Sequence, residues 1–167
     1  MKPTYQKAQA IYLSFAEMFP YIREQIEAGG SVELPVRGRS MRPMLREGKD
    51  TVILTKISAP LKLYDIPLYQ REDGSFVLHR ILSMGEAGYT CIGDNQFAPE
   101  TGIKEEQMLA LLTAFRRGKK LVKVTSPLYR LYRWIWCLSR PLRFFLFRVK
   151  RKLRRICKAK QNTGGKV

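Results

Sequence analysis

Apolar and polar positions change their period twice along this chain. Residues 4–28 carry Ala8, Ile11, Tyr12, Phe15, Met18 and Phe19 at helical spacing, which predicts one amphipathic helical region. Pro20 is expected to break or kink it, and Gly29-Gly30 to end it. Its plainest role is to pack on a core or cover its edge. From residue 31 the signals become those of strands, beginning with the alternating stretch Ser31–Pro35. Ser31–Val36, Thr51–Thr55, Ile66–Gln70, Phe76–Leu82, Tyr89–Ile92, Met108–Phe115 and Leu121–Thr125 read as strands. The stretches Arg71-Glu72-Asp73-Gly74-Ser75 and Arg116-Arg117-Gly118-Lys119-Lys120 carry the residues of hairpin turns. A mainly β fold follows, a curled antiparallel domain over 31–125.

After Ser126 the helical period returns. Arg130, Arg133, Arg140, Arg148, Arg151 and Arg155 fall on one side of a helix. Leu131, Ile135, Leu138, Leu142, Phe145, Val149 and Leu153 fall on the other. Ser139 and Pro141 mark the end of one helix and the start of a second. The expected organisation is therefore an N-terminal helical segment (1–30), the β domain (31–125), C-terminal basic amphipathic helices (126–160) and a disordered end (161–167).

Charge sharpens this division. The 167 residues carry a net charge of +17. Residues 1–115 hold 13 basic against 14 acidic side chains, whereas residues 116–167 hold 18 basic and none acidic. An anionic partner is implied for the tail and not for the body. Arg130, Arg133, Trp134, Trp136, Phe144, Phe145 and Arg148 suit an anionic membrane surface, with the helices lying in its plane. Binding to nucleic acid would use the same charge but leaves the aliphatic side unexplained. The longest uncharged run in the aromatic part, Trp134 to Ser139, is too short to span a bilayer. Near the start, the run Ala8–Met18 is interrupted by Glu17, unlike a secretory signal. The expected location is thus cytoplasmic, peripheral on the inner face of the membrane. Cys91, Cys137 and Cys157 are odd in number and widely spaced, which argues against a disulfide framework and for a reducing compartment. A single histidine and no C-x-x-C leave no metal set, no glycine-rich phosphate loop occurs, and no cofactor is expected.

The candidate chemistry lies in three short stretches. The first is Val36-Arg37-Gly38-Arg39-Ser40-Met41-Arg42-Pro43-Met44-Leu45. Gly38 permits close backbone approach and Pro43 fixes the exit from the turn, so Ser40 can present its hydroxyl where an extended peptide adds to a sheet edge. Taken alone, this is a Gly/Pro turn with a solvated serine. The second stretch is Phe76-Val77-Leu78-His79-Arg80-Ile81-Leu82 and the third is Ile92-Gly93-Asp94-Asn95-Gln96. His79 is the only histidine, and a neutral imidazole can accept the proton that a serine must lose to become nucleophilic.

Together the three stretches resemble the boxes of the type I signal peptidases and the related SOS-response repressors, in the histidine-base form of the endoplasmic-reticulum enzymes. The resemblance covers residues 31–125. It implies a curled β peptidase domain, Ser40 as nucleophile, His79 as base, and the Ser40 backbone N–H as oxyanion donor. It also implies a carboxylate behind His79, either Asp94 of the third box or Glu100 six residues later, where the family has an aspartate. Gly38 stands where many signal peptidases have a hydroxyl donor, as in the mitochondrial inner-membrane peptidases and the repressors. Gly38, Met41 and Pro43 would shape the substrate groove, although Met41 and Pro43 also suit an ordinary core. Lys49, Lys56 and Lys62 do not occupy the family's lysine position. The implied function is a serine endopeptidase that cleaves an extended leader- or signal-like peptide at small residues. Two rivals stand beside it. One is an autoproteolytic regulator, for which the first 30 residues are too short to hold a helix-turn-helix domain. The other is a catalytically inactive β module whose basic tail binds anionic membrane or nucleic acid.

Overall fold

The computed structural model describes residues 15–149 and 151. Along the chain run α1 (Phe15–Glu27), β1 (Ser31–Pro35), β2 (Asp50–Thr55), β3 (Pro67–Gln70), β4 (Phe76–Leu78), β5 (Arg80–Gly85), β6 (Gly88–Ile92), β7 (Glu100–Ile103), β8 (Met108–Arg117), β9 (Lys120–Lys123) and α2 (Pro127–Leu138). All strand pairs are antiparallel. The larger sheet has the order β1-β2-β8-β3-β4, with β9 also paired to β8, and the smaller sheet is β5-β6-β7. The long strand β8 is the spine, held by β2 on one side and by β3 and β9 on the other. Register shifts between Ile53 and Leu54 and between Leu68 and Tyr69 bend the strands around it.

Alternation decides what each sheet buries. In β2, Val52 and Leu54 point inward, as do Ala110 and Leu112 of β8. They join Met41, Met44, Leu45, Ile66, Leu68 and Phe115 in the larger core, which α1 closes through Ile22 and Ile26. A second core of Leu61, Tyr69, Ile81, Cys91, Ile103 and Met108 lies between the two sheets. Burying such side chains is worth about 1.5–3 kcal/mol each, which is what holds the short strands together.

The sequence-based expectations need three corrections. Pro20 lies inside α1 without ending it; the proline removes one N–H donor, and the packing of Ile22 and Ile26 outweighs that loss. The expected strand Phe76–Leu82 is two strands. It divides at His79, with β4 in the larger sheet and β5 in the smaller. Glu100–Ile103 is also a strand, which its sequence did not signal because Gly102 is a weak strand former and one side chain of the four is apolar. Beyond β9, Ser126 caps α2 by accepting the Tyr129 N–H at 3.4 Å, and Pro127 begins the helix. A turn at Ser139 separates α2 from a further helical stretch, residues 140–149. No helix among the described residues is long and apolar enough to cross a membrane. Ala8, Ile11, Tyr12, Leu153, Arg155, Cys157 and the 161–167 end lie outside the described residues.

Candidate active site

The serine stretch is a tight loop between β1 and β2. Met41, Met44 and Leu45 anchor it in the larger core, so Ser40 is half-buried at the loop's rim. Asp50 closes the loop by accepting the Arg46 backbone N–H at 3.0 Å and the Arg46 guanidinium at 2.8 Å. Gly38 has φ +79°, a conformation that suits glycine, and donates its N–H to Glu47 Oε1 at 2.9 Å. The Arg42–Pro43 peptide bond is cis. Of the residues expected to shape a groove, Gly38 and Pro43 are exposed and Met41 is core.

The third stretch grips the first. Asn95 donates its backbone N–H to Ser40 O at 2.7 Å and its side-chain amide to Arg39 O at 3.2 Å. A Cβ on Gly93 would stand 2.9 Å from Ser40 Cβ, so only glycine fits there. Since Arg80 pairs with Ile92 across β5 and β6, His79 and Gly93 lie one residue further out on each strand. The topology therefore gathers Ser40, Gly93 and His79 at one end of the smaller sheet.

The two candidate carboxylates have different neighbours. Asp94 is buried and grips Arg80, which donates from Nε to Oδ1 and from Nη2 to Oδ2, both at 2.8 Å. Arg80 also donates to Tyr129 Oη and to Tyr64 O, both at 3.2 Å, so this pair ties β5, β6 and α2 together. Glu100 is the carboxylate that faces His79, with Oε1 3.2 Å from Nδ1. Pairing of Cys91 with Glu100 across β6 and β7 puts it there.

Sequence reasoning missed two members of this cluster, Tyr69 and Arg71. Tyr69 Oη donates to Glu100 Oε2 at 2.9 Å and lies 3.1 Å from His79 Nδ1. Arg71 Nε donates to Glu100 Oε2 at 2.8 Å and Arg71 Nη2 donates to Oε1. The phenol has one proton, and Glu100 takes it; towards His79 it can therefore only accept. Nδ1 thus faces two acceptors and carries the ring proton, which leaves Nε2 with its lone pair. A signal for Tyr69 did exist. The hairpin pairs Tyr69 with Val77, which puts residue 69 on the face of residue 79, one diagonal away.

Electrostatics agree with this assignment. Arg71 holds the Glu100 carboxyl below its ordinary range against the opposing effect of burial, with the Tyr69 hydroxyl helping. Burial pushes the His79 imidazole below its ordinary value, and Glu100 opposes that only in part. The result is a neutral imidazole beside an ionised carboxylate. Nε2 is itself buried and has no hydrogen-bond partner among the described residues, so Ser40 Oγ and Nε2 are not hydrogen bonded. Lys49, Lys56 and Lys62 are exposed. An open cleft of about 640 Å³ runs past Glu100, lined by Arg71, Asp73, Gln96, Phe97, Ala98 and Pro99.

The residues expected at a membrane divide. Arg130 and Arg148 are exposed, as are Trp134 and Phe145, at 62% and 61%. Phe144 is 40% exposed, beneath Arg148. Arg133 lies over the Tyr64 ring, and Trp136 is packed between Tyr132 and Arg143. Searches against protein-family models, curated proteins and solved structures find no match to this chain.

Proposed function

We propose that the chain is a serine endopeptidase of signal-peptidase type, with Ser40 as nucleophile, His79 as base and Glu100 as the carboxylate behind it. The observation that carries this reading is the array Arg71–Glu100–Tyr69–His79, which engages Nδ1 and leaves Nε2 without a partner, on a strand end across from the Gly93 turn that with Asn95 seats Ser40. In this mechanism Ser40 Oγ attacks the peptide carbonyl and its proton passes to Nε2. Glu100 stabilises the imidazolium, and the Ser40 N–H holds the oxyanion. The imidazolium then protonates the leaving amine, and water, deprotonated by the same nitrogen, releases the acyl group. The Ser40–His79 hydrogen bond forms when substrate binds, as catalytic hydrogen bonds commonly tighten in the complex. β1 is an edge strand leading directly into the Ser40 loop, which suits an extended peptide adding beside it. A leader-like peptide matured at the inner face of the membrane fits this reading.

The test is labelling with a fluorophosphonate, together with cleavage of a peptide library rich in small residues. Ser40→Ala should abolish labelling, and Ser40→Ala or His79→Ala should each slow cleavage roughly 10⁴-fold or more, since such groups act as a unit. The buried, unbonded Nε2 favours a second reading, a β module without catalysis. Folded protein that neither labels nor cleaves would establish that reading instead.

A further inference from the structure

The two C-terminal helices are turned inside out relative to an ordinary surface helix. Their inner side carries Tyr129, Tyr132 and Trp136 together with Arg133, Arg140 and Arg143. Arg140 donates to Gln96 O and Arg143 to Asp94 O, both at 3.4 Å, and Arg143 lies 3.5 Å from the Trp136 ring centre. Their outer side is a stripe of Leu131, Trp134, Ile135, Leu138, Leu142 and Phe145, each between 53% and 64% exposed. The stripe keeps three- and four-residue spacing across the turn at Ser139, so it is one continuous ridge. An apolar ridge of this size on an otherwise charged chain marks an interaction surface.

We propose that this ridge docks on an anionic lipid bilayer, with both helices lying in the membrane plane. Charge selects the occupant. The segment 116–167 has 18 basic and no acidic residues, so a second copy presenting the same face is repelled, whereas an anionic leaflet attracts it. The exposed side chains of the ridge are aliphatic and aromatic, which a layer of acyl chains can cover and the charged backbone of a nucleic acid cannot. Exposed Arg130 and Arg148 flank it and can reach phosphates with their stems apolar. The loop that seats Ser40 is joined to these helices through Phe97, which stacks on Phe147 with centroids 4.1 Å apart. The proposal does not rest on Ser40 being active.

The experiment uses the full chain with vesicles of phosphatidylcholine alone or mixed with phosphatidylglycerol. Sedimentation with the mixed vesicles should persist at 0.5 M salt, with a blue shift in tryptophan emission that Trp134→Phe removes. Leu138→Gln combined with Leu142→Gln keeps the charge and should weaken partitioning more than tenfold while leaving the circular dichroism unchanged. Binding that vanishes with salt, equal binding by the double variant, retention on RNA or DNA with none on vesicles, or a solution dimer that the double variant disperses would each overturn the proposal.

Discussion

Gly93 lies directly against Ser40, so close that a Cβ on residue 93 would meet the Ser40 carbonyl oxygen at 2.7 Å and the Ser40 Cβ at 2.9 Å. Both contacts are on the chain segment that carries the hydroxyl, and Asn95 holds the same carbonyl from the next turn. Gly93→Ala should therefore act twice. Overpacking of this kind costs about 1–3 kcal/mol, read as a lower melting temperature. Any peptidase activity should fall by more than that stability loss explains at a temperature where the variant is folded. A variant with unchanged melting temperature and activity would mean that the two loops yield freely.

The two acids near the site should separate cleanly. Glu100→Gln removes the charge facing Nδ1 from a half-exposed position, so the fold should survive while the rate falls on the order of 10³- to 10⁴-fold. Asp94→Asn leaves Arg80 buried without its counter-charge, and breaking such a pair costs about 3–5 kcal/mol. Its main effect should be a drop in melting temperature of about 10 °C or more. Thermal denaturation and kcat/KM on both variants decide the matter. Equal destabilisation by the two would show that Glu100 is as structural as Asp94.

Much of the architecture was legible because it rests on local signals. The apolar runs in Thr51–Thr55 and Met108–Phe115, and the turn residues at Asp73-Gly74, are properties of short windows. The break at His79 was not legible, because Phe76–Leu82 holds no glycine or proline to divide it and only pairing shows that its halves join different sheets. The cluster was half legible. Ser40, His79 and Glu100 stand out by type and context, but the choice between Glu100 and Asp94 depends on which strand lies beside which. Tyr69 and Arg71 carry no motif, and their roles are set by hairpin register. In the tail, helical spacing predicted two faces, and packing decided that most of the apolar one would face outward.

The pH dependence follows from burial of His79. Its imidazole titrates below the ordinary value of 6.5, because the buried ring resists charging. Activity should therefore rise through a pKa below that value and then stay level, as kcat/KM measured from pH 4 to 9 will show. A rise above pH 8 would point to a lysine base. Stability carries the same sign. The unfolded chain takes up the proton more readily than the folded one, so this contribution is present above pH 6.5 and is lost as pH falls through the folded-state value. Glu100, held below its ordinary 4.5 mainly by Arg71, adds a further loss below that pH as the carboxylate is protonated.

Tyr69 should act as a positioning residue for His79. Its ring is fully buried in the second core, so Tyr69→Phe preserves packing and removes only the hydroxyl. That hydroxyl spends its proton on Glu100 and accepts from Nδ1, which favours the tautomer with Nε2 free. Glu100 Oε1 remains an acceptor at 3.2 Å in the variant, so the effect should be partial. A hydrogen bond to a charged group is worth about 1.5–3 kcal/mol, which corresponds to a loss of roughly ten- to a hundredfold in kcat with KM little changed. The chain has one histidine, so nitrogen NMR of histidine-labelled protein reports His79 alone. Above pH 7 the native chain should show a protonated Nδ1 and a bare Nε2. Tyr69→Phe should move intensity towards the other tautomer, and Tyr69→Phe with Glu100→Gln should move more. A native spectrum with the proton on Nε2 would reverse the direction of the array and remove His79 as the base for Ser40.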